Sequence, residues 1–276
     1  MRAALLQLCS SDDPGENLGV VRGMMREAAE NGAGFILTPE VTNCVSSSRA
    51  RQNEVLCHED ADPTLAGLRE EAAALGVWLL IGSLGLKTGD ADGRFANRSF
   101  LIGPDGQIAA RYDKIHMFDV EIGANDSFRE SDGYRPGSAA VVAGTPFAKI
   151  GMSICYDIRF PYLYRDLAHA GAQVLAVPAA FHPVTGAAHW EVLLRARAIE
   201  TGCYVLAPAQ TGRHNTQTGK PRQSYGHSMA ISPWGEVLTV ADDAPGVVYV
   251  DLDLSEVENS RQRVPSMTHD RNYEGP

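Results

Sequence analysis

Apolar and polar positions along the chain alternate in short blocks, and each block closes on a turn residue. "AALLQLC" (3–9) is an apolar run of strand length. It is followed by Asp13-Pro14, a capping carboxylate with proline in the first turn, and this predicts a helix that stops at Gly32. "FILTPE" (35–40) is a second apolar run, stopped by Pro39. "TLAGLREEAAALG" (64–76) predicts a helix ending at Gly76, and "VWLLIGSLG" (77–85) is apolar enough for a fully buried strand. Two hairpins stand out, "SFLIGPDGQIAARY" (99–112) and "HSMAISPWGEVLTV" (227–240), each with a Pro-x-Gly turn between strand-like runs. Each follows a helix-then-strand unit: 63–85 for the first, "HWEVLLRARAIETG" with "CYVLAPAQ" (189–210) for the second. The pattern therefore predicts two similar halves and sheets covered by helices, a layered α/β protein. No linker or low-complexity tract interrupts residues 1–276, which read as a single unit, with 261–276 as a C-terminal arm.

Composition narrows the function. A net charge of −10 makes the chain a poor partner for a phosphate backbone, so nucleic acid is set aside. No run approaches the roughly 20 apolar residues of a membrane helix. Five cysteines (Cys9, Cys44, Cys57, Cys155 and Cys203) lie far apart with no CxxC pair. They read as reduced thiols in a cytoplasmic protein, and neither a disulfide frame nor a metal site is expected.

At least one thiol is then available as a nucleophile. In "AKIGMSICYDIRFPYLYR" (148–165) Cys155 sits where a strand hands over to a helix, where free backbone N–H groups and the helix dipole favour a thiolate or an oxyanion. Cysteine is also among the most often buried residue types, so this stretch alone leaves both readings open. Glu40 in "GFILTPEVTN" and Lys114 in "ARYDKIHMFDVEI" also end strands. Ligands gather beyond the carboxyl ends of strands in open α/β sheets, and three such ends here supply a carboxylate, an ammonium and a thiol. "GMSIC" does not fit the GxSxG of a serine hydrolase, and "TGKP" lacks the hydroxyl residue of a P-loop.

In these motifs, "TPE", "YDKIHMFDV" and "GMSICYDIRFP", the chain resembles the nitrilase superfamily of carbon–nitrogen hydrolases over nearly its whole length. The resemblance implies a four-layer αββα sandwich of two mixed sheets with internal pseudo-symmetry, paired into a homodimer or higher homo-oligomer. It implies a Glu40–Lys114–Cys155 triad that needs no cofactor and cleaves an amide through a thioester, releasing ammonia or an amine. A second glutamate is implied beside the lysine: Glu130 in "SFRES" fits the motif, and Glu121 ranks second. Cys155 attacks with Glu40 as base, and Lys114 and the Tyr156 N–H hold the oxyanion. Burial is expected to raise the Glu40 pKa while Lys114 stabilises the thiolate.

"LLRARAIE", Gln210, "GRH" and "SYGHS" resemble the Nit branch, on its deaminated glutathione amidase side. That implies a small amide substrate bearing carboxylates, with Arg159, Arg213 and His189 as candidate contacts. Arg195 and Arg197, two apart on one helix, cannot both face it. "PEVTNCVSSSR" and "HNTQTGKPRQ" depart from the branch pattern, and both are expected to border the substrate pocket. The alternatives are an ω-amidase on 2-oxoglutaramate-type amides, an N-carbamoyl amino acid hydrolase and, in a different class, a non-catalytic scaffold.

Overall fold

The computed structural model describes residues 1–123 and 126–275. Helix Pro14–Glu30 starts on Asp13, whose carboxylate accepts from the N–H groups of Gly15 and Glu16. Helix Pro63–Leu75 starts on Asp62, bonded to Leu65 N–H, and ends at Gly76 in the left-handed conformation (φ 65°). These two helices bury Val21, Met25, Leu68 and Ala72 against Leu6, Ile36, Leu79 and Ile81 on one face of a sheet. The alternate positions of the same strands, Leu5, Phe35, Leu37 and Leu80, point the other way and meet Ile150, Met152 and Val205 of a second sheet. Helices Pro161–His169 and Pro183–Thr201 cover that second sheet through Leu163, Leu167, Trp190 and Leu194. The result is helix, sheet, sheet, helix, as the resemblance implied.

The two six-stranded sheets have the same plan. The first runs Gly246–Asp251, Arg2–Gln7, Phe35–Leu37, Trp78–Lys87, Phe95–Ile102, Ile108–Asp113. The second runs Val141–Gly144, Lys149–Met152, Val174–Ala176, Tyr204–Ala207, Met229–Ile231, Val237–Val240. In each, three central parallel strands are flanked by one antiparallel strand on one side and an antiparallel hairpin on the other. The outer strand of each sheet comes from the other half: Val141–Gly144 follows the first five strands, and Gly246–Asp251 follows the second five. Both hairpins read from Pro-x-Gly turns are present at Phe95–Asp113 and Met229–Val240.

Equivalent positions meet at the strand ends. Strand Phe35–Leu37 continues into Thr38-Pro39-Glu40, and its counterpart Val174–Ala176 continues into Val177-Pro178-Ala179. Gly82 lies between these loops. A Cβ there would fall 2.0 Å from the Thr38 carbonyl oxygen, 2.4 Å from that of Pro39 and 2.6 Å from Pro178 Cβ, so only glycine allows the approach.

The C-terminal segment is docked as far as Asp270. Arg261, in helix Ser255–Arg263, donates to the carbonyls of Thr201 (3.0 Å) and Ala172 (2.8 Å), and Arg165 holds Ser266 O (3.0 Å) and Asp270. Among the described residues no helix is long and apolar enough to cross a membrane.

Candidate active site

Glu40, Lys114, Glu130 and Cys155 converge on one cavity of about 430 Å³. Each arrives from the end of a different element: Glu40 beyond Phe35–Leu37, Lys114 directly after Ile108–Asp113, Glu130 after the ribbon strand Asp126–Arg129, and Cys155 three residues past Lys149–Met152. Lys114 Nζ donates to Glu40 Oε1 (2.8 Å) and to both Glu130 oxygens (2.9 and 2.8 Å). Asn97 Nδ2 bridges the same two carboxylates at 2.9 and 3.3 Å. Glu40 Oε2 accepts from Ala180 N–H (2.9 Å), a loop of the other half. The Cys155 thiol lies close enough to the Glu40 carboxylate for each to shift the proton affinity of the other. Glu121 stands apart, exposed and paired with Arg129 at 3.1 Å.

The backbone is strained where the chemistry is expected. Val41 (φ 47°) and Cys155 (φ 49°) are two of the three non-glycine residues with positive φ among those described. Both N–H groups are held in that shape, Val41 by Ser83 Oγ (2.7 Å) and Cys155 by the Pro178 carbonyl (2.9 Å). Tyr156 N–H opens the short helix Cys155–Arg159 and, among the described residues, donates no hydrogen bond.

Electrostatics here differ from expectation. Burial pushes Glu40 up, but the Lys114 ammonium, helped by the neighbouring Cys155 thiol and the Asn97 bond, outweighs it and leaves the carboxyl below its usual value. Burial and the Glu40 charge push the Cys155 thiol well above its usual value, against the pull of Lys114. Lys114 is also raised, because Glu130 and Glu40 overcome its desolvation. Two carboxylates face one ammonium, so a thiolate would add a second net negative charge to a dry site. The resting pair is therefore thiol and carboxylate, and the ammonium serves the carboxylates before it serves the sulfur.

The Lys114 and Cys155 segments are joined by a buried carboxylate that sequence reading passed over. Asp157 Oδ1 accepts from His116 N–H (3.0 Å) and lies 2.7 Å from His116 Nδ1. Its Oδ2 accepts from Tyr112 OH (2.6 Å) and Ile154 N–H (2.9 Å). Tyr112 and His116 flank Lys114, and Ile154 precedes Cys155, so one side chain sets the spacing of both segments. Asn97 was missed as well; it stands beside Arg98 and Ser99, and Asp157 two residues before Arg159, so neither was marked as a polar residue in an apolar run.

The residues proposed to touch substrate fall outside the cavity lining. Arg159 reaches His189 Nδ1 (3.2 Å) beside the Tyr156 and Phe181 rings, and His189 is exposed. Arg213 is exposed on the strand Thr211–Arg213. Arg195 and Arg197 both form ion pairs, with Glu191 (3.4 Å) and Glu200 (2.6 Å). The arginines on the lining are Arg49, Arg129 and Arg222. Both divergent segments do border the cavity, through Val41, Cys44, Ser46, Ser47 and Arg49 on one and Arg222 on the other.

Residues 2–262 match the carbon–nitrogen hydrolase family. The chain belongs to that family. This hydrolase is 39% identical over 269 residues to the deaminated glutathione amidase of Yersinia enterocolitica, covering 97% of this chain and 92% of that one. It is 39% identical over 272 residues to the deaminated glutathione amidase of Mus musculus, covering 97% and 82%. Among solved structures, the Caenorhabditis elegans NitFhit protein superposes with a TM-score of 0.89 at 36% identity. The match takes in 98% of this hydrolase but only 65% of that longer chain.

Proposed function

We propose that this hydrolase cleaves a linear amide by cysteine catalysis, on a substrate of the deaminated glutathione type. The observation that carries the reading is the Cys155 thiol, on a strained turn, facing the same cavity as a buried carboxylate held by Lys114. As Cys155 Sγ attacks the amide carbon, its proton passes to Glu40, and the carbonyl oxygen takes the charge beside Lys114 Nζ and Tyr156 N–H. Because Glu40 is held low and Cys155 high, proton transfer and attack belong to one step, with no preformed thiolate. On collapse the C–N bond breaks, Glu40 returns the proton to the leaving nitrogen, and a thioester remains on Cys155. Glu40 then takes a proton from water as the hydroxyl adds to the thioester, and the sulfur leaves with that proton. Glu130 keeps Lys114 in place throughout.

The substrate class is supported by the names of the relatives and by the arginines on the cavity lining. The γ-amide of deaminated glutathione is secondary, so its leaving group is a dipeptide amine; ammonia is expected only from primary amides. The test is purified wild type and Cys155→Ala, each incubated with deaminated glutathione, 2-oxoglutaramate and an N-carbamoyl amino acid, with product acid and amine measured. Turnover of the first, absent in a folded mutant, is expected. Turnover confined to either of the others would overturn the substrate, and an active Cys155→Ala would overturn the mechanism. The reading includes pairing of two copies through the outer helices, where Tyr162, Val192 and Ile199 stand exposed, which sedimentation would test. It also includes a cytoplasmic location, supported by five unpaired thiols.

A further inference from the structure

Two of the three arginines on the cavity lining are already committed. Arg49 donates to the carbonyls of Gly133 (2.8 Å) and Gly93, and its guanidinium carbon lies 3.8 Å from the centre of the Phe95 ring. Arg129 is paired with Glu121 on the exposed ribbon. Arg222 is half-buried, and its guanidinium has neither a hydrogen bond nor an ion pair among the described residues. A cation partly withdrawn from water without a counter-charge favours an incoming anion.

Its position is fixed by the backbone around it. The Asp12 carboxylate accepts from the Thr216 hydroxyl (2.8 Å) and Gln217 N–H (2.9 Å), and the Ser47 hydroxyl donates to the Lys220 carbonyl (2.7 Å). His214, opposite Arg222 across the hairpin, is buried between Ser10 O and Ser224 Oγ, each at 2.8 Å, and its N–H donates to the Arg222 carbonyl (3.0 Å). The guanidinium is thus carried on a tethered loop, which lowers the ordering cost of using it. The Ser47–Lys220 bond also joins the two segments that depart from the branch pattern, so the departures form one wall of the cavity.

We infer that Arg222 binds a carboxylate of the amide substrate and sets the preference of this hydrolase for anionic amides; this rests on the amidase reading of Cys155. The carboxylate belongs either to the 2-oxo acid end or to the peptide end, and the arms of the experiment separate them. Arg222→Met and Arg222→Lys, in the full chain, are assayed with four amides. These are deaminated glutathione, its glycinamide analogue (neutral at the peptide end), 2-oxoglutaramate and uncharged butyramide. Arg222→Met is expected to raise KM for amides carrying the recognised carboxylate by roughly 10- to 100-fold, as for a lost hydrogen bond to a charged group, with Arg222→Lys intermediate. The kcat for those amides, and both constants for butyramide, are expected to stay within about twofold of wild type. A glycinamide analogue insensitive to the mutation assigns the peptide end; sensitivity of 2-oxoglutaramate assigns the 2-oxo acid end. Glutarate protection of Cys155 against alkylation gives a second readout that needs no turnover, and it should weaken in Arg222→Met by a similar factor. Unchanged KM for every anionic amide, or unchanged protection, overturns the assignment. A wild type that turns over nothing while glutarate still protects Cys155 counts against the amidase reading and leaves the anion site standing.

Discussion

Asp157→Asn tests whether one buried carboxylate fixes the distance between the Lys114 and Cys155 segments. The side chain is fully buried, and its two oxygens each accept from a backbone N–H: Oδ1 from His116 and Oδ2 from Ile154. An asparagine amide has one oxygen and one NH₂ group. Whichever way it turns, one of those N–H groups must face the NH₂ and lose its partner; the Tyr112 hydroxyl can rotate to adapt, but a backbone N–H cannot. A stranded buried donor costs about 1–3 kcal/mol, and the bonds that remain lose their charge assistance, so the substitution should cost about 3 kcal/mol. For a chain of this size that corresponds to a fall in Tm of about 5 °C. A shift of the Cys155 turn relative to Lys114 by a fraction of an ångström to 1 Å should also lower kcat by roughly 10²-fold. Tyr112→Phe removes one bond and strands no N–H, so it should cost about 1–2 kcal/mol and spare most activity. The assays are thermal denaturation and steady-state kinetics on the three proteins. An Asp157→Asn variant that melts within 2 °C of wild type and keeps its kcat would refute the clamp.

Four more expectations come from the same geometry. Cys155 is held well above its usual value by burial and Glu40, so its alkylation by iodoacetamide should keep rising through pH 9 with no plateau near neutrality; a plateau at pH 7 would indicate a preformed thiolate. Glu40 is held below its usual value despite burial, so its base form persists to lower pH and the acid limb of kcat/KM should lie below that of an unperturbed glutamate; a limb above it would refute the assignment. Glu130→Gln should lower kcat by about 10- to 100-fold by loosening Lys114, while Glu121→Gln should change it by less than about twofold; the reverse ranking would reassign the second glutamate. Gly82→Ala places a methyl against two backbone oxygens that cannot move aside and should destabilise the fold by about 3 kcal/mol, visible as a lower midpoint in urea.

Much of the fold was legible because its signals are local. Asp13 and Gly76 mark helix ends whatever the rest of the chain does, and the Pro-x-Gly turns mark both hairpins. The convergence of Glu40, Lys114 and Cys155 was anticipated because each ends an element, where sequence pattern breaks visibly. The proton affinities were not: Glu40 is governed by the 2.8 Å approach of Lys114, and burial alone predicted the wrong direction. That Arg222 and not Arg213 lines the cavity was not anticipated, for a reason of parity. Arg213 pairs with Gln223 on the exposed side of its ribbon, whereas Arg222 stands opposite buried His214, and a one-residue difference changes the face. Asp157 was overlooked because its partners Tyr112 and His116 are more than 40 positions away.

The exchange of outer strands makes the two halves interdependent in the way of clasped hands. A break in the chain between Gly144 and Lys149 would leave each fragment with five strands of its own sheet and a sixth fitted only to the other fragment. Glu40 would remain on one piece and Cys155 on the other, so neither fragment could act alone and each would expose the sheet face meant for its mate. Reassociation would have to restore both borrowed strands at once. Regained activity on mixing the fragments would therefore report a completed interlock, and the chain carries the makings of a split reporter in its own repeat.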